Sequence, residues 1–231
     1  MAVILNIETS TSVCSAALTA EGMVLTHYED FEGRNHATLL SGFIKQCLDF
    51  AAERELKLDA VAVSIGPGSY TGLRIGLSEA KGLCYALRIP LIGVSTLELI
   101  AVSVMFNYDY DPETILVPMI DARRMEVYTA AYDSALKPIL SPTPMILDPN
   151  SYSDILDKYP AAFFGDGSGK AKDIIKSPSA RFIPDIFPLA AYMTALSERA
   201  WHRKEFLDLA YSVPEYLKEF QTTQSKNKNR I

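Results

Sequence analysis

Three strand-like runs, then alternating helices and strands, then the same order a second time: this pattern constrains the fold more than any other feature of the chain. "AVILNIET", "VCSAALTA" and "GMVLTHYE" read as an antiparallel meander, with Glu21 and Gly22 at its second turn. Asn35 then caps a helix whose apolar positions, His36, Leu39, Leu40, Phe43, Ile44, Cys47, Leu48 and Ala51, follow the helical period. A strand at "AVAVSI", a helix over about residues 70–87, a strand at "PLIGVS" and a helix over about 96–105 complete the order βββαβαβα. After the polar link "NYDYDPE" the order restarts with strands at "TILVPMID", "EVYTAAYD" and "KPILSPTPMIL". A helix near 151–158, a strand at "AAFF", a helix after Gly169, a strand at "RFIP" and a helix over 188–202 follow. Such alternation implies parallel sheets covered by helices. It predicts an α/β chain in two lobes, residues 1–106 and a smaller 107–231.

The chain has 231 residues, 48% of them hydrophobic, which is enough to bury cores of that size. Its 22 Lys and Arg against 28 Asp and Glu leave a net charge of −6, whereas a protein gripping a nucleic-acid backbone alone carries a basic face. The one basic cluster, Lys226, Lys228 and Arg230, reads as a disordered, weakly cationic tail. Cys14, Cys47 and Cys84 are odd in number and set in apolar runs, as reduced core thiols of a cytosolic protein are. The apolar start meets Glu8 too early for a secretory signal, and no uncharged run approaches the ~18 residues of a membrane span. A cytoplasmic location is expected.

The stretch "SIGPGSYTGLRIG", residues 64–76, places glycines and a proline between an apolar strand and a helix, as phosphate-binding loops do. The helix after it points elsewhere. At 100° per residue, Gly72, Leu73, Gly76, Leu77, Ala80, Leu83, Cys84 and Leu87 share one face. The opposite side carries Ile75, Ser78, Gly82, Tyr85 and Ala86 beside Arg74 and Lys81, which is too apolar for a solvated face. Each helical glycine costs roughly 1 kcal/mol relative to alanine unless a close approach compensates. Gly66, Pro67 and Gly68 therefore read as the sharp exit from a buried strand, and Gly72 and Gly76 as places where the helix lies close to its sheet. Two helices with surplus apolar surface predict an interface of His36, Leu39, Leu40, Phe43 and Cys47 with Arg74, Ser78, Lys81, Gly82 and Tyr85. The competing reading is that the helices pack only on each other and on their own lobe.

Five stretches, "ILNIETSTSVCSAAL", "SIGPGSYTGLRIGLSEAKGL", "IPLIGVSTLELI", "MIDARRMEVYTAAY" and "VPEYLK", resemble in that order the TsaB family, formerly called YeaZ. The resemblance implies the duplicated ASKHA (actin-like, ribonuclease H-like) fold. It also implies a subunit of the machinery that makes N6-threonylcarbamoyladenosine at position 37 of tRNAs reading ANN codons. There TsaC makes threonylcarbamoyl-adenylate, and TsaD transfers the group with the ATPase TsaE. TsaB binds TsaD through its first-lobe helices, or forms a homodimer when TsaD is absent, and meets tRNA and TsaE through the complex. The expected role is a scaffold with no active site, cofactor or metal of its own. Where TsaD carries a His-x-x-x-His metal pair, this chain has Thr96 and Ile100, and His27, His36 and His202 share no ligand spacing.

The alternative is a small-molecule kinase or ATPase of the same fold, which turns on three loops. The first hairpin offers weak phosphate candidates in Glu8, Thr9 and Ser10. The matching hairpin "DARRME" offers Asp121, but puts Arg123 and Arg124 where small residues would be needed; its plain reading is a tight turn in which Asp121 pairs with Arg123 or caps it. "FGDGSGKAKD" resembles a Walker loop but has Phe164 for its first glycine and Ala171 for the Mg²⁺-binding hydroxyl. An M22-type peptidase is less favoured, because neither Ser69 nor Ser168 stands in a Gly-x-Ser-x-Gly elbow.

Overall fold

A computed structural model describes residues 2–33 and 35–218. Strands β1 (Val3–Glu8), β2 (Cys14–Ala20) and β3 (Met23–Asp30) form the expected meander. Glu21 and Gly22, at φ 56° and 76°, close the β2–β3 hairpin with the left-handed backbone that matches strand twist. Helix α1 (His36–Glu53), β4 (Ala60–Gly66), α2 (Tyr70–Leu87), β5 (Leu91–Ser95) and α3 (Thr96–Asn107) follow. The first sheet runs β3-β2-β1-β4-β5, with β1, β4 and β5 parallel. Every residue of β4 is buried, because helices cover both faces at the centre of a parallel sheet.

The second half repeats the plan with β6 (Ile115–Asp121), β7 (Glu126–Tyr132), β8 (Pro138–Ile146), α4 (Ser153–Leu156), β9 (Ala161–Phe164), α5 (Ser168–Ile174), β10 (Ala180–Ile183) and α6 (Thr194–Arg203). Its sheet order, β10-β9-β6-β7-β8, is that of the first sheet counted from the other edge. The chain has the duplicated βββαβαβα order expected from the resemblance. Pro138, Pro142 and Pro144 all fall in β8, an edge strand, where a missing backbone donor is tolerated.

Local departures have local causes. The helix expected from residue 188 becomes a 3-10 turn over Ala190–Met193 before α6, because Leu189 is extended and the Ala190 N–H is drawn to Ser15 Oγ on β2 at 2.9 Å. Asn35 stands at the N-cap of α1 without a side-chain cap bond; its carbonyl instead accepts the N–H groups of Thr38 and Leu39, both at 2.9 Å. Leu87, expected on the inward face of α2, is 49% exposed at the helix end. The basic tail of Lys226, Lys228 and Arg230 lies outside the described residues.

Helices α1 and α2 cover one face of the first sheet, burying Leu5, Ile7, Leu40, Cys47, Leu77 and Cys84 together. The other face packs on α3 and α6 through Ile4, Ala62, Val94, Leu99, Met193 and Leu196. The far side of α3 meets the second sheet, where Leu97, Ile100 and Val104 join Leu116, Ile120 and Phe164. Sandwiched this way, α3 has no polar face, as its sequence requires. Cys14, Cys47 and Cys84 are free and buried, and burial pushes their thiols up to about 12, 12 and 11, which leaves them unreactive at neutral pH. No helix among the described residues is long and apolar enough to cross a membrane.

After α6 the chain returns across the first lobe as an irregular strap. The Leu207 N–H bonds the Leu91 carbonyl at 2.8 Å, and the Glu215 N–H bonds the Ile65 carbonyl at 2.7 Å. Lys218 then pairs with Glu126 of β7 at 2.6 Å.

Candidate partner-binding site

Gly66, at φ 122°, the cis-linked Pro67 and Gly68 carry the chain from β4 into α2, whose first turn is capped by Ser69 Oγ accepting the Gly72 N–H at 3.2 Å. The loop does not open toward a ligand, because it is packed on the β1–β2 turn. A Cβ added at Gly68 would overlap the Ser10 carbonyl, one at Gly72 the Thr9 carbonyl, and one at Gly76 the Thr9 hydroxyl. The Ser69 N–H donates to the Ser10 carbonyl at 2.6 Å, and Thr9 Oγ1 donates to the Gly72 carbonyl at 2.8 Å. The surface that Gly72 and Gly76 approach is thus mainly this turn. At Gly66 a Cβ would lie 2.6 Å from the Glu215 carbonyl of the strap.

The three candidate phosphate ligands of the first hairpin are closed off by this packing. Glu8, Thr9 and Ser10 are each 0% exposed. The Ser10 N–H, which a phosphate would need, is spent on the Glu8 carboxylate. Burial pushes the Glu8 carboxyl up to about 7 from its ordinary 4.5, hydrogen bonds from Ser10 and its neighbours offsetting only part of the effect. The folded protein therefore holds this proton in a range where the unfolded chain has released it. Stability is expected to fall as pH rises from about 4.5 to about 7, by on the order of 3 kcal/mol, and Glu8→Gln to flatten that slope. Urea unfolding of both proteins at pH 5 and pH 8 measures it; equal slopes would contradict the burial of this carboxyl.

The second lobe's loops are satisfied internally as well. Asp121 Oδ1 accepts the Arg123 N–H at 2.6 Å and Lys170 Nζ at 2.7 Å, so Asp121 caps its turn and pairs with Lys170. Burial alone would raise the Asp121 carboxyl, but Lys170 and the Arg123 N–H hold it below the usual carboxylate value. Lys170 Nζ also bonds the carbonyls of Arg124, at 3.0 Å, and Glu126, so the lysine of the Walker-like loop is spent on the hairpin. Arg123 and Arg124 take positive φ of 71° and 52°, and their side chains occupy the turn where a backbone cradle would need glycine. The two loop serines have structural partners: Ser69 caps α2, and Ser168 Oγ donates to the Gly165 carbonyl at 2.8 Å.

The outer face of the two helices is different. Leu40 and Cys47 leave the expected interface, since both are 0% exposed in the chain's own core. Leu39 and Phe43 are half-buried against the same core, Phe43 stacking on Tyr28 with ring centroids 6.2 Å apart. His36 Nε2 lies 3.0 Å from the Thr11 carbonyl, a packing contact of the turn. Lys81 is drawn to the strap carbonyls of Ser212, at 2.7 Å, and Ala210, at 3.3 Å. Arg74, Ser78, Gly82 and Tyr85 remain exposed, Tyr85 at 79%. An open groove of about 820 Å³ runs along Arg74, Ser78 and Gly82, lined also by Ala37, Tyr70, Ile75 and Leu83. A Cβ at Gly82 would meet nothing within 4 Å, so this glycine serves no contact inside the chain.

Known proteins share sequence and fold with the part of the chain that carries this face. Residues 30–143, which include both helices, match the family model described as TsaD, tRNA N6-adenosine threonylcarbamoyltransferase. Over 129 residues the chain is 37% identical to the Escherichia coli K12 "tRNA threonylcarbamoyladenosine biosynthesis protein TsaB", covering 56% of this chain and 54% of that one. The Bacillus subtilis protein of the same name is 36% identical over the same shares. The structure of YeaZ from Pseudomonas aeruginosa superposes with a TM-score of 0.76 at 28% identity, covering 94% of this chain and 100% of that one. Over these stretches the chain is similar to proteins named TsaB and YeaZ. It spans about half the length of the curated TsaB relatives it matches. Thr96 is buried with its hydroxyl unpaired among the described residues, and the described residues contain no group of His, Cys, Asp and Glu arranged to hold a metal ion.

The strap was not legible as a structural element. Its one signal was "VPEYLK", a stretch that resembles the TsaB family, which supplies Glu215 and Lys218 to the contacts described above.

Proposed function

We propose that this chain is a TsaB-type, non-catalytic subunit of the threonylcarbamoyladenosine machinery, working in the cytoplasm by binding and activating TsaD. The observation that carries the reading is a contrast within α2. Its inner glycines seat the first hairpin so tightly that no phosphate can enter, while its outer face, with Ser78 and Gly82, is left uncovered. Small residues on an exposed helix allow a partner helix to approach closely, and the pair α1 and α2 meeting a like pair makes a four-helix contact. TsaC supplies threonylcarbamoyl-adenylate, TsaE joins through the complex, and tRNA is held by the partners, in keeping with the net charge of −6. The same face closes a homodimer when TsaD is absent, as a two-fold contact uses one patch twice.

Mixed with TsaD, the protein is expected to co-elute with it in size-exclusion chromatography; separate elution contradicts the proposal. Titration of the isolated chain with Mg-ATP is expected to give no binding heat. Saturable binding would favour the kinase or ATPase reading.

A further inference from the structure

Arg74 lies in the second turn of α2, at the end of the groove beside Tyr70. Its guanidinium carbon stands 4.0 Å from the centroid of the Tyr70 ring. Its Nε donates to the Tyr216 hydroxyl at 3.0 Å, and the Tyr216 ring lies 5.1 Å from that of Tyr70. Tyr216 is itself fixed, since the strap is bonded on either side of it, by Glu215 to Ile65 and by Lys218 to Glu126. An exposed arginine normally samples many rotamers; this one is held by a ring beneath it and a hydroxyl on its Nε.

Among the described residues the cation so held has no acid partner. Glu79, the carboxylate lining the groove, accepts a hydrogen bond from Ser41 on α1 at 2.8 Å. With Nε taken, the two Nη groups keep the planar fork that a carboxylate accepts bidentately. A side chain fixed before its partner arrives loses little entropy on binding.

We propose that Arg74, held by Tyr70 and by Tyr216 of the strap, is the carboxylate-receiving anchor of the docking face, and that TsaD presents an Asp or Glu to it from the helix that fills the groove. The inference rests on the reading of this face as the TsaD-binding surface and adds the chemistry that recognises the partner. Tyr216 acts through Arg74 and is a positioning residue. The strap is thereby part of the binding surface.

Calorimetric titration of TsaD into the full chain tests it at low and high salt. Arg74→Ala is expected to weaken binding about 30-fold and to remove much of its salt dependence. Arg74→Lys is not expected to restore it, because an ammonium lacks the fork. Tyr216→Phe keeps the ring and loses the hydroxyl; it is expected to weaken binding about fivefold with an unchanged melting temperature. One Asp or Glu of TsaD, neutralised in turn, is expected to add nothing to the loss from Arg74→Ala in a double-mutant cycle. Wild-type binding with Arg74→Ala within about twofold of it, or no coupled carboxylate on TsaD, overturns the role of Arg74 while the docking face stands. Failure of the wild type to bind removes the docking face, and this inference with it.

Discussion

Gly72→Val is expected to cost about 3 kcal/mol or more of stability, enough to leave much of the protein unfolded at 37 °C, while Gly82→Ala in the same helix raises stability by about 0.5–1 kcal/mol. The opposite signs follow from what each position faces. A Cβ at Gly72 overlaps the Thr9 carbonyl, which belongs to the backbone of a buried turn and cannot rotate away as a flexible side chain would. The Gly72 carbonyl also accepts the Thr9 hydroxyl at 2.8 Å, so backing the helix off breaks a buried hydrogen bond. Gly82 meets nothing within 4 Å, so alanine there gains helix propensity without a clash. Urea unfolding of the two variants beside the wild type measures both. A Gly72→Val protein as stable as the wild type would mean that α2 does not rest on the first hairpin, and that the closed phosphate turn is wrong.

Gly82→Arg and Ser78→Arg are expected to lose TsaD binding by about 100-fold or more while melting at or above the wild-type temperature. Both positions are exposed on the outer face of α2, and arginine is a good helix former, so the fold has no reason to fail. The loss comes from bulk and charge placed where a second helix must lie close. The readouts are circular-dichroism melting and co-elution with TsaD. Intact binding by either variant would move the interface off this face, whatever the stability result.

These predictions depend on features that differ in how openly the sequence displays them. The meander, its Glu21–Gly22 turn and the two first-lobe helices are local patterns of period two or 3.6, closed by known turn chemistry, and they stand where expected. The wide apolar arc of α1 was equally visible, but periodicity does not say which part of an arc meets the chain's own sheet; Leu40 and Cys47 proved to be core, and only the rim is open. Lys170 looked like a phosphate lysine because its partners Asp121, Arg124 and Glu126 lie 44 to 49 residues away, and contacts at that range leave no local pattern. The strap was illegible for a related reason. It has no regular period, and carbonyls, one tyrosine and a lysine tie it to four separate elements.

The central claim is that this chain does no chemistry of its own and is nevertheless required. The direct measurement is modified A37 in tRNA incubated with purified TsaC, TsaD and TsaE, with threonine, bicarbonate and ATP, in the presence and absence of this protein. Modification is expected only when the protein is present, and Gly82→Arg is expected to behave like its omission. Equal modification with and without the wild-type protein would contradict the claim.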